Sequence, residues 1–99
     1  MTAYVISDVE ILDDELIKEY RLLAQESIAK YGGRYLARGG HIEPIEGGWT
    51  PKAIIIVEFP DMARAKAWYQ SAEYAEALKV RARALDRRLI FVDGVASKP

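Results

Sequence analysis

Hydrophobic and polar positions along the chain alternate between two rhythms. Ala3-Tyr4-Val5-Ile6-Ser7-Asp8-Val9-Glu10-Ile11 is rich in β-branched and aromatic residues, with its polar residues in the second half, and reads as a strand. A three- and four-residue spacing follows. Leu16, Tyr20, Leu23, Ala24, Ser27, Ile28 and Tyr31 share one face of a helix expected from about Asp14 to Tyr31, with Asp13 or Asp14 as its N-cap. Glu15, Lys18, Glu19, Glu26 and Lys30 fall mostly on the other side, so this helix packs with one stripe only. Gly32 and Gly33 then stop it, since glycine takes positive φ at no steric cost and helices commonly close that way. A short strand runs from Arg34 to about Ala37 or Arg38, and Gly39-Gly40 frees the chain again.

The stretch from His41 to Pro51 carries two prolines and a glycine pair, which suit a long connection and not a central strand; Ile42 to Glu46 could add a short edge extension. Lys52 to Phe59 is the next strand, and its centre, Ala53-Ile54-Ile55-Ile56-Val57, has no polar alternation. Both of its faces therefore require burial. One helix layer covers one face of a sheet, and the remaining sequence holds no further cover, so the second cover is expected from another subunit. Pro60-Asp61 ends the strand and Asp61 caps a second helix. Its inward stripe runs through Ala65, Trp68, Tyr69 and Ala72, then Tyr74, Ala77, Leu78, Arg81, Ala82 and Leu85, with a bend expected near Ser71. Leu89 to Val95 is the last strand and Ala96 to Pro99 a tail. The order βαββαβ predicts an α+β, ferredoxin-like domain: a four-stranded antiparallel sheet with two helices on one face. Joined to the argument about the third strand, it predicts two sheets facing each other in a barrel-like homodimer with C₂ symmetry, a dimeric α/β barrel.

At 99 residues the chain is expected to form a single domain, residues 1–99. A formal net charge of -1 argues against nucleic acid as a partner, because that affinity rests on Lys and Arg displacing counterions. Basic residues do cluster from Lys79 to Arg88, but Glu76 and Asp86 sit among them, which suits a solvated helix face. Without cysteine there is no disulfide, thiolate metal site or thiol nucleophile, and the one histidine cannot build a His-rich metal site, so no metal and no cofactor is expected. The longest apolar run, Ala53 to Val57, is too short to cross a membrane, and the N-terminus lacks the pattern of a signal peptide. A cytoplasmic protein with no membrane partner is the default expectation.

Several segments carry a family resemblance when taken together: Ala3-Tyr4-Val5-Ile6, the run Tyr31-Gly32-Gly33-Arg34-Tyr35-Leu36-Ala37-Arg38-Gly39-Gly40, Trp49-Thr50-Pro51-Lys52, Glu58-Phe59-Pro60, and Ala67-Trp68-Tyr69-Gln70-Ser71-Ala72-Glu73-Tyr74. In these the chain resembles the domain of unknown function 1330 family of the dimeric α/β-barrel superfamily. Gln70 and Ala72 depart from it, standing where such proteins often carry an acidic residue and a proline. The resemblance implies the ferredoxin-like fold and a dimer; the family's activity is not established. The wider superfamily includes cofactor-independent monooxygenases, lactone isomerases and polyketide cyclase-like enzymes, so by analogy the ligand class is small organic molecules.

Four polar residues stand out as candidates for chemistry, each with a structural alternative. Glu58 ends an apolar strand, where burial would raise its pKa and suit it as a general base, or it pairs with an arginine for structure alone. Arg81 lies on an apolar stripe and either holds a carboxylate or enolate oxygen or forms a salt bridge to Glu58, Asp8 or Asp93. Arg38, beside two glycines, is an anion clamp or a surface or dimer-contact arginine. His41 is the side chain whose unperturbed pKa lies near neutrality, and opens a loop as an acid–base group or as a polar surface residue. Tyr20, Tyr35, Trp49, Trp68 and Tyr69 would line a pocket for a planar ligand, or pack the core and the dimer contact. The glycine pairs do not match a phosphate loop, and no motif arranges a histidine and an acid around Ser7, Ser27 or Ser71. Two readings follow: a small-molecule-binding homodimer, with or without cofactor-free catalysis, and a non-catalytic dimeric module whose polar residues are structural pairs.

Overall fold

Alternation along the first strand, β1 (Ala3–Ile11), sorts its side chains between two environments: Ala3, Val5, Ser7 and Val9 are buried, while Tyr4, Ile6 and Asp8 between them are partly exposed. The computed structural model describes residues 1–95, and the tail expected over residues 96–99 lies outside them. After β1 come α1 (Leu16–Lys30), β2 (Arg34–Arg38), β3 (Ile54–Phe59), α2 (Met62–Tyr69), α3 (Ala72–Ala84) and β4 (Leu85–Asp93). The four strands form one sheet in the order β2-β3-β1-β4, with every neighbouring pair antiparallel. This is the split βαβ arrangement expected from the sequence. Among the described residues no helix is long and apolar enough to cross a membrane.

The second helical region is two helices and not one. Ser71 breaks it: its backbone is extended, its Oγ accepts from Tyr74 N at 3.0 Å to cap α3, and its hydroxyl donates to Trp68 O at 2.7 Å to close α2. Asp61 caps α2 through Arg64 N, and Asp13 accepts from the backbone N–H groups of Glu15 and Leu16 ahead of α1. The last strand begins at Leu85, earlier than the expected Leu89. Leu85 to Arg88 continue the pairing with Ile11 to Asp8, and this ladder overrides the helical spacing that Leu85 also satisfies. Residues Ile42 to Glu46 form no strand, so the expected edge extension is absent from the single chain.

Helix α1 ends in a Schellman motif, with Gly32 N donating to Ala29 O at 3.1 Å and Gly33 N to Ile28 O at 2.9 Å. The two glycines serve different ends. Gly32 has φ +82°, whereas Gly33 has ordinary φ but no room for a side chain: a Cβ there would lie 2.7 Å from Phe59 Cε1 and 2.8 Å from Ile28 Cγ2. Phe59 is fully buried and packs on Trp68 with ring centroids 5.4 Å apart, so Gly33 gives way to the centre of the core.

The helices cover only the sheet face that carries Val5, Val57 and Phe59. On β3 this leaves Ile54 and Ile56 on the uncovered face, where Ile56 pairs with Ile6 and Ile6 with Ile90, giving an apolar row across three strands. Ile90 is 59% exposed and Val92 41%.

The different roles of the two glycines make a clear test. Gly33→Ala overpacks Phe59 and Ile28 and should lower stability by about 1–3 kcal/mol, which for a domain of this size is a fall in Tm of about 4–8 °C per kcal/mol. Gly32→Ala should lose about 1–2 kcal/mol through its backbone. Asparagine at 32 should recover part of that loss and asparagine at 33 none, as read by thermal unfolding followed by circular dichroism.

Candidate functional site

The inward face of the sheet and the buried face of α1 do not close on each other. Between them lies a cavity of about 390 Å³, with Val5, Val9, Ile17, Ile28, Ile55 and Val57 among its apolar walls and Trp68 at its side. Small side chains at facing positions, Ser7 on β1 and Ala24 on α1, leave the space unfilled. The indole of Trp68 is fixed by its Nε1–H, which donates to Ser27 Oγ at 3.0 Å, while Ser27 donates to Ala24 O at 2.8 Å.

The polar groups of this cavity centre on Arg87. The alternation of β4 places Leu85, Arg87 and Leu89 on the inward face, so a guanidinium enters an otherwise apolar layer. It donates from Nη1 to Tyr20 Oη and from Nη2 to Tyr74 Oη, both at 2.8 Å, and the two phenol oxygens lie 2.5 Å apart in a hydrogen bond of their own. Burial works against the charge on Arg87, but the phenol oxygens of Tyr20 and Tyr74 outweigh it and hold the guanidinium above its ordinary pKa. Burial also pushes the Tyr74 phenol far above its usual value of 10.0, with the neighbouring Tyr20 adding to the shift and Arg87 opposing it. The group is therefore a charged guanidinium held by two phenol oxygens. At the rim, Arg38 donates to Gln25 Oε1 at 2.9 Å and lies 4.4 Å from the centroid of the Tyr35 ring. Arg21 also lines the opening.

Of the residues singled out from sequence, Tyr20, Tyr35, Arg38 and Trp68 line this cavity. The others do not meet there. Glu58 lies on the uncovered sheet face, between Tyr4 and Arg34 in register, and accepts from Arg34 Nε at 2.8 Å. His41 stands in the exposed connection with its side chain 81% exposed, Nε2 2.8 Å from Glu43 Oε2. Arg81 is on α3 and forms none of the ion pairs considered for it; its Nε–H is buried and donates to nothing among the described residues. Tyr69 is 38% exposed and packs edge-on against Trp68 and Phe91 outside the cavity, and Trp49 is exposed in the connection. Among the described residues no three His, Asp or Glu side chains are grouped so as to hold a metal ion.

The principal residue that sequence reasoning passed over is Arg87, which had been grouped with the solvated basic run. The signal was present: with the strand begun at Leu85, the odd positions Leu85, Leu89 and Phe91 form an inward apolar series with Arg87 inside it. Tyr74 was read as core, which it is, but its hydroxyl completes the polar triangle.

Solved structures with the same architecture come from several bacteria. A protein of unknown function from Rhodopseudomonas palustris is 19% identical, with 96% of this chain and 83% of that chain covered and a TM-score of 0.76. A dimeric protein of unknown function with a ferredoxin-like fold, from Bacteroides fragilis, is 20% identical over 94% of this chain and 96% of that one, with a TM-score of 0.58. SnoaB, a cofactor-independent oxygenase from Streptomyces nogalater, shares 4% identity over 99% of this chain and 97% of that one, with a TM-score of 0.66. At these identities the likeness is one of fold, which is ferredoxin-like, and the dimer belongs to the neighbours so described. Among curated proteins none matches the sequence. The family is nonetheless clear, because its model spans residues 2–95: the chain belongs to the family described as domain of unknown function DUF1330.

Proposed function

We propose that the protein is a homodimer in which each subunit binds one small organic molecule in the cavity between α1 and the sheet. The observation that carries this reading is the cavity itself, about 390 Å³, apolar over most of its wall, with Arg87, Tyr20 and Arg38 as its polar contacts. Small-molecule sites generally have this make-up, and the volume lies at the small end of their range. The shared fold with a cofactor-independent oxygenase supports a small organic ligand by analogy alone. Binding is favoured over proton chemistry, because neither Glu58 nor His41, the groups expected to move a proton, reaches the cavity of its own chain.

The dimer is supported by the uncovered apolar row of Ile90, Ile6 and Ile56 and by the dimeric state of structural neighbours. A second copy, packing sheet to sheet, covers that row by a self-complementary contact.

Sedimentation should give a dimer at low micromolar concentration. Ile56→Lys, which places a charge in the centre of the row, should shift it to monomer; a stable wild-type monomer overturns the dimer. For the ligand, thermal-shift measurements with small carboxylates, phenols and quinones should raise Tm for at least one class. Ala24→Phe, which fills the cavity from α1, should abolish that shift. Absence of any shift across the set overturns the binding reading and leaves a structural module.

A further inference from the structure

We infer that the cavity takes an organic anion, a carboxylate carried on an apolar body, with Arg87 and Tyr20 holding the carboxylate. This rests on the binding reading above and names its ligand class. The first ground is charge. Arg87 forms no ion pair among the described residues, and no Asp or Glu lines the cavity, whereas three arginines do. Asp8, Glu10 and Asp86 share with Arg87 the lining of a second cleft, but they alternate onto the other face of the sheet and none forms an ion pair with its guanidinium. A half-buried cation whose hydrogen-bond partners are phenol oxygens is short of a counter-charge, and an anionic ligand supplies one.

The second ground is a count of hydrogens. A guanidinium has five N–H groups; two of those on Arg87 go to the phenols, which leaves three for a further acceptor. The two phenols have one O–H each, and the bond between them uses one. Tyr74 is fully buried and does not line the cavity, while Tyr20 does. Either phenol can donate in that bond; in the arrangement where Tyr74 donates to Tyr20, the Tyr20 O–H is left to donate into the cavity. Arg87 N–H groups beside a phenol O–H form a donor-only set, which selects an acceptor-only group such as a carboxylate.

The third ground is shape. The walls on either side are aliphatic or aromatic, and the other two arginines, Arg21 and Arg38, are exposed at the rim, where they draw an anion in. With one guanidinium at depth, the site balances a single negative charge.

The test compares isosteric acid and amide pairs, benzoate with benzamide and 2-naphthoate with 2-naphthamide, by NMR titration of the wild-type protein and of the Arg87→Met and Tyr20→Phe variants. The acid of at least one pair should bind about tenfold tighter than its amide, the scale expected of charge-assisted hydrogen bonds. Arg87→Met should abolish that preference while amide binding persists, and Tyr20→Phe, which keeps the guanidinium, should reduce it several-fold. Should Arg87→Met fail to fold, the Tyr20→Phe contrast decides. Equal binding of acid and amide, or a preference that survives both substitutions, overturns the anion assignment and leaves the cavity as a site for neutral ligands. Binding of none of the four probes, together with no response in the thermal-shift set, removes the cavity reading as well.

Discussion

The hydrogen-bonded triangle of two buried phenols, Tyr20 and Tyr74, and the half-buried guanidinium of Arg87 joins three elements, β4, α1 and α3, at one point. Its members cannot part cheaply. Moving α1 away takes Tyr20 with it and leaves Arg87 and Tyr74 each short of one partner, and each buried polar group left without a partner costs about 1–3 kcal/mol. Helix α1 leans on α3 more than on the strands, so the triangle is what ties it to the sheet's inner face while leaving a gap beneath it. The cavity follows from that arrangement. Packing alone would draw the helix down until Val5, Val9 and Ile28 touched, because interiors tend to native density.

The same strands serve two surfaces. In β3, Ile55 and Val57 look into the cavity and Ile54 and Ile56 look out of the uncovered face, so neighbouring residues of one backbone feel both environments. This accounts for the absence of polar alternation in that segment. It also separates two surfaces of the molecule: the apolar row lies on one side of the pleat and the cavity on the other. The Arg34–Glu58 pair, flanked by Tyr4, sits at the end of the outer face, where a charged pair can remain partly hydrated beside the apolar row.

Element order, the helix caps, the break near Ser71 and the two-sided character of β3 could all be read from residue order, since each is written in local spacing or in a capping side chain. What could not be read was phase near a boundary. Leu85 fits the stripe of a helix and the inward face of a strand equally well, and only pairing with β1 decides; once it is misplaced, Arg87 goes with it. Glu58 kept two readings, general base or structural partner of an arginine, for a related reason. Its strand is apolar on both faces, so periodicity cannot say which face the carboxylate takes, and pairing with Arg34 on the neighbouring strand is a long-range fact. Gly33 shows a third kind of limit: glycine in sequence suggests positive φ, yet here it answers to the size of a phenylalanine 26 positions on.

The cavity is best understood as a departure from the most stable core for this chain. Ser7 stands between Val5 and Val9 on the inward face of β1, where a third branched aliphatic would pack better against α1. Ala24 stands opposite, and Arg87 enters where the strand's own series calls for another leucine. Ser7 and Arg87 depart from the pattern around them, Ala24 is the small member of its stripe, and all three open on the same space. Exceptions to the surrounding pattern are expected in a sequence at functional or strained sites.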